Sequence, residues 1–124
     1  MSVSVRSVGN VRIVEPAGAL SIGQSSLATP LDFQGQRLAD LGTTLEELLR
    51  RGQTNILLNL HRVNFMDSAG IGELVTWKTR MSKSSGDLKL LKPTERVRQL
   101  LDLTHLDQLF EIYDHEQAAL RSFS

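Results

Sequence analysis

Between Asn55 and Arg80 the chain reads N-I-L-L-N-L-H-R-V-N-F-M-D-S-A-G-I-G-E-L-V-T-W-K-T-R, and one periodicity replaces another within a few residues. Ile56 to Leu60 is a short apolar run of strand character, whereas Ile71, Leu74, Val75 and Met81 recur at helical spacing. A strand must therefore feed a helix through a brief turn. Asp67 and Ser68 stand at the junction, and Gly70 and Gly72 strip side-chain bulk from the helix's opening turn. With Asp67 as N-cap, Met66 and Ile71 occupy the positions of a hydrophobic staple, and Ser68 is the first helical residue with its hydroxyl free. The unpaired N–H groups and dipole of such a helix end favour negative charge.

The flanking sequence supplies a sheet for this corner to join. Val3, Val5 and Val8, then Val11, Ile13 and Val14, form two β-rich runs around Gly9-Asn10 and predict a hairpin. Pro16 and Gly18 are expected to end or distort its second strand, with extended structure resuming at Leu20 and Ile22. The Gly-, Ser- and Gln-rich stretch from Gly23 to Gly35 reads as a long loop. Leu38 to Arg51 carries leucines at spacings of three and four, and Gly52 ends it as a helix. Asp87 to Lys92 reads as a strand, broken by Pro93-Thr94 before a helix with Val97, Leu100 and Leu101. Leu109 to Tyr113 is expected to be a last strand and Glu116 to Phe123 a last helix. This order predicts an α/β fold: one domain over residues 1–124, with a mixed, mostly parallel sheet, an N-terminal β-hairpin and helices packed on it. Sites in such sheets gather where strand C-terminal ends meet helix N-terminal ends, which is where Met66-Asp67-Ser68 falls.

Composition narrows the chemistry. Lys plus Arg and Asp plus Glu each number 14, so no net field draws the chain to nucleic acid or an anionic membrane. With Cys 0 there is no disulfide or cysteine-based metal or redox site, in keeping with the cytoplasm. No run approaches the roughly 18 apolar residues of a membrane span. His61, His105 and His115 share no metal-ligand spacing and read as surface or capping residues. Neither a cofactor nor a metal is expected. A serine hydrolase at Ser68 is disfavoured because Met66 stands where G-x-S-x-G needs glycine, and no G-x-x-x-x-G-K or G-x-G-x-x-G phosphate loop exists. The chain is expected not to be an enzyme.

The run V-N-F-M-D-S-A-G-I-G resembles the signature of the STAS domain, specifically that of bacterial anti-sigma factor antagonists. G-A-L before a loop and helix, I-L-L-N-L before the signature, and L-D-L-T-H-L-D-Q-L-F near the end follow the same family order. The resemblance implies that Ser68 is a phosphoacceptor and that Asp67, Ala69, Gly70, Ile71 and Gly72 border a docking surface, with Ser21 and Ile22 beside it. It implies as partner an ATP-dependent anti-sigma factor serine kinase, captured by the unphosphorylated form so that a sigma factor is released. A weak homodimer is a second partner expectation. The pattern departs at Ser21, where many antagonists carry an acid, and in the stretch Ile22 to Arg37, which is longer than usual. The rival is a STAS scaffold of a stress-sensing complex or transport system that binds whatever the state of Ser68.

Plainer roles stand beside these. Asp-Ser at a strand-to-helix corner is commonly a cap alone, Gly70 and Gly72 can serve tight packing, and Trp77 is expected to pack partly buried. Glu46 and Glu47 with Arg50 and Arg51 read as a solvated face of i,i+4 ion pairs.

Overall fold

The structure, a computed structural model, describes residues 2–20 and 41–123. Strands β1 (Ser2–Val8) and β2 (Val11–Leu20) form the N-terminal hairpin. Then follow α1 (Leu41–Arg50), β3 (Asn55–Asn59), β4 (Val63–Met66), α2 (Ser68–Lys83), β5 (Asp87–Leu91), α3 (Glu95–Leu103), β6 (Ile112–Tyr113) and α4 (Glu116–Ser122). The sheet order is β1-β2-β3-β5-β6, with β4 paired to β2 off this path. Among the described residues β1 alone adds to the sheet antiparallel; β3, β4, β5 and β6 all pair in parallel. The mixed, mostly parallel sheet is thus as expected.

Two departures matter. The strand before the central helix is not the apolar run Ile56 to Leu60 but a separate strand, β4, where the residue pattern predicts only a brief turn. Near Leu60 the chain turns, with Val63 N–H donating to the Leu60 carbonyl at 3.0 Å, and β4 moves across to the far end of β2. Nor does Pro16 end β2. Arg12 to Val14 pair with β3 and Gly18 to Leu20 with β4, so the proline, which lacks a donor, falls in the gap between the two ladders. Gly18 adopts φ 110° where the register shifts, the distortion expected of it.

The remaining differences are at element ends. The last strand shortens to Ile112–Tyr113 because Leu106–Gln108 forms a 3₁₀ turn, and the Leu106 carbonyl accepts from the N–H groups of both Leu109 and Phe110. The first helix is described from Leu41, and the expectations for Ser21, Ile22, Leu38 and the Gly23 to Gly35 loop lie outside the described residues.

Both faces of the central strand are covered, so β3 is buried from Ile56 through Asn59 without alternation. Ile56, Leu58, Leu88 and Leu90 join α1, α2 and α3 in the larger core, whereas Leu57 and Leu91 face Ala119 of α4. Trp77, 6% exposed, belongs to the larger core, with Arg80 stacked 4.5 Å from its ring centroid. Arg80 also donates to Glu46 at 2.7 Å, tying α2 to α1 and holding that carboxyl below its usual range. The i,i+4 pairs Arg50–Glu46 (3.8 Å) and Arg51–Glu47 (2.8 Å) line α1 as expected. Beneath α4, Lys89 is 5% exposed, yet its Nζ donates to the Ser122 carbonyl and Oγ at 3.0 and 2.9 Å. A buried ammonium is tolerable when its donors are used in this way. After α2 the backbone passes so close to Thr54 that a Cβ on Gly86 would lie 2.0 Å from the Thr54 carbonyl oxygen.

Candidate functional site

The site is the corner between β4 and α2. Val63 and Met66 point into the core while Asn64 and Phe65 face out, which fixes where the strand delivers the chain. Gly18 N–H donates to the Arg62 carbonyl at 3.0 Å and Thr94 Oγ1 to the Val63 carbonyl at 3.2 Å, so β2 and the start of α3 hold β4 from two sides. Asp67 then turns the chain. Its backbone is extended (φ −111°, ψ −175°), its carbonyl accepts from Ile71 N–H at 3.0 Å, and its Oδ1 accepts from Gly70 N–H at 3.0 Å. This is the N-cap that the residue order predicts. Met66 and Ile71, 5% and 9% exposed, pack into the same core as a staple across it.

Ser68 is the first residue of α2 and is exposed; among the described residues its hydroxyl makes no hydrogen bond. The first turn of α2 contains no acidic residue, so among the described residues the helix dipole is met there by the Asp67 cap. The two glycines separate in role. Gly70 is buried, as tight packing requires, whereas Gly72 is exposed and a Cβ there would meet nothing within 4 Å. Ala69, just before Gly70, is half-buried. The structure therefore brings Asp67, Ser68, Ala69, Gly70, Ile71 and Gly72 together on one corner.

Apolar surface that the residue pattern does not predict lies beside this corner. Phe65 and Leu103 are 43% and 78% exposed, and with Met66, Arg96 and Leu100 they line a groove of ≈ 250 Å³ between β4 and α3. Neither segment offers a local sign of this, because Leu103 extends the apolar pattern of Val97, Leu100 and Leu101 along α3, and Phe65 stands beside the apolar Met66. A larger cleft of ≈ 530 Å³ lies elsewhere, between the hairpin and α1, lined by residues such as Val5, Arg12, Leu48 and Arg51. Ser68 lines neither cavity.

Among the described residues no group of three His, Asp or Glu side chains could hold a metal, and no helix is long and apolar enough to cross a membrane. His61 contacts Asn59 Oδ1 at 2.8 Å and Glu15 at 3.2 Å, while His105 and His115 precede the 3₁₀ turn and α4.

Residues 2–119 match the family model described as the STAS domain. The chain belongs to the STAS family. A curated relative from Thermotoga neapolitana, named as a candidate anti-sigma factor antagonist, is 37% identical over 75 residues, covering 60% of this chain and 66% of the relative. The matched stretch thus spans a little under two thirds of that relative's length. The STAS chain also superposes on the crystal structure of a candidate anti-sigma factor antagonist from Thermotoga maritima, with TM-score 0.80, 29% identity, and coverage of 98% and 93% of the two chains. The phosphorylated form of SpoIIAA from Bacillus shares the STAS fold at TM-score 0.67 and 19% identity, covering 99% of this chain and 100% of that one.

Proposed function

We propose that this STAS protein is a non-enzymatic, cytoplasmic anti-sigma factor antagonist switched by phosphorylation of Ser68. In this reading its unphosphorylated corner captures an anti-sigma factor that is an ATP-dependent serine kinase, so that a sigma factor is released. The observation that carries the reading is the exposed hydroxyl of Ser68, without a hydrogen bond among the described residues, at the first position of a capped helix. The names of the Thermotoga relatives and the existence of a phosphorylated SpoIIAA support it.

The chemistry needs no change of fold. A phosphate adds about 1.5 to 2 negative charges and three acceptor oxygens where the α2 dipole and its first N–H groups favour an anion. Locally the modification is tolerated. At an interface the same dianion beside Asp67 must be desolvated and repels an acidic partner surface; a penalty of ~3 kcal/mol lowers affinity over a hundredfold. Docking itself is served by the side-chain-free surface at Gly72, where a partner backbone can approach, and by the Phe65–Leu103 groove alongside. In this reading Ser21 and Ile22, which lie outside the described residues, complete the surface.

The test uses the kinase-type anti-sigma factor encoded in the same genome. Wild type and Ser68→Ala should bind it equally in calorimetric titration, wild type alone should gain phosphate, and Ser68→Glu should bind at least about tenfold more weakly. Equal affinity of all three forms would reject the switch and favour a scaffold that ignores Ser68.

A further inference from the structure

β1 forms one margin of the sheet, and among the described residues β2 is its only strand partner. Its seven residues pair without a bulge, from Ser2 opposite Ala17 to Val8 opposite Val11. Lysine, proline and bulges commonly keep an exposed edge from pairing further; Ser2 to Val8 has none of them, and Arg6 is its only charge. Val5 and Val8 are 43% and 38% exposed.

The hairpin determines which backbone groups face outward. Val8 and Val11 flank a two-residue loop, and Gly9 alone of the loop pair has positive φ (59°), as at the first central position of a type II′ turn. The residues flanking such a loop exchange both N–H···O bonds. Alternation along the ladder then directs the N–H and C=O of Ser2, Ser4, Arg6 and Val8 to β2, and those of Val3, Val5 and Ser7 away from it.

We propose that this edge pairs antiparallel with the same edge of a second copy of the chain, about a twofold axis through Val5. An axis perpendicular to the sheet keeps each face on its own side, so the dyad must pass through a residue rather than between two. Centring on Arg6 sets two guanidiniums opposite each other. Centring on Ser4 joins Val3 to Val5 but sets no described residue opposite Ser7. Centring on Val5 sets Val5 against Val5 and Val3 against Ser7, which satisfies every outward donor and acceptor of the strand in both copies. The side chains agree with this register. The half-exposed Val5 side chains cover one another at the axis. On the other face Arg6, whose guanidinium is already paired with Glu116 of its own chain, lies opposite the small Ser4 of the second copy. No like charges face each other.

Sedimentation equilibrium and amide hydrogen exchange on the full chain, from about 10 µM to about 1 mM, test the proposal. The mean mass should climb from monomer toward dimer, and the amides of Val3, Val5 and Ser7 should gain protection with concentration, while those of Ser4 and Arg6 are protected throughout. Val5→Lys places two ammonium groups at the axis and should raise the dissociation constant at least about tenfold. Ser7→Pro deletes an outward donor that the hairpin does not use and should weaken association in the same direction. A chain that stays monomeric at the upper concentration, a dimer indifferent to Val5→Lys, or protection gained on other amides would each overturn it; wild-type exchange decides even where a variant fails to fold.

Discussion

Two strand-to-helix corners lie side by side, one from β4 into α2 and one from β5 into α3, and they use their hydroxyl and acidic residues in opposite ways. At the second corner Thr94 is the N-cap: its Oγ1 accepts from Val97 N–H at 3.4 Å and donates to the Val63 carbonyl at 3.2 Å, and Glu95 supplies an acid to the first turn of α3. That hydroxyl is committed and that helix dipole is already answered. At the first corner the capping duty falls to Asp67, the first turn of α2 has no acid, and the Ser68 hydroxyl has no partner among the described residues. The difference separates a structural corner from one able to accept a modifying charge, although both are an oxygen-bearing cap before a helix.

The contrast can be broken most decisively by phosphate incorporation. Ser68→Ala should abolish it entirely under the cognate kinase while Thr94→Ala leaves it intact, as phosphopeptide mass mapping would read. Stability should rank the other way. Thr94→Ala removes a cap and the tie to β4 together and should cost about 1–2 kcal/mol in urea unfolding, whereas Ser68→Ala should stay within about 0.5 kcal/mol of wild type. Asp67→Ala should cost about 1 kcal/mol through loss of the bond to Gly70 N–H. Smallest is Gly72→Ala. With no atom near the added methyl, it should stabilise α2 by roughly 0.5–1 kcal/mol yet weaken partner binding, and unchanged binding would assign Gly72 no docking role.

Legibility followed the range of the interactions. The hairpin, α1, α2, β5, α3 and the Asp67 cap could be read because turn residues, caps and periodicities lie within a few positions of what they control. β4 could not. Val-Asn-Phe-Met lacks alternation, and its strand character comes from pairing with Gly18 to Leu20, far back in the chain. Pro16 misled for the same reason, since its harmlessness depends on where β2 changes partners. Exposure of Phe65 and Leu103 was equally invisible, because an apolar residue reveals its hydrophobicity but not whether a neighbour covers it.

By itself, then, the order M-D-S-A-G-I-G determined the cap, the staple and the place of Ser68 at the start of a helix, since each depends on contacts spanning at most five residues. Tertiary structure decided what surrounds that serine. It supplied β4 as the strand that carries it, committed the Thr94 hydroxyl to the Val63 carbonyl while leaving that of Ser68 exposed, and laid an apolar groove beside the corner. Those features arise from segments that meet only when the sheet closes, and no local pattern encodes such a meeting.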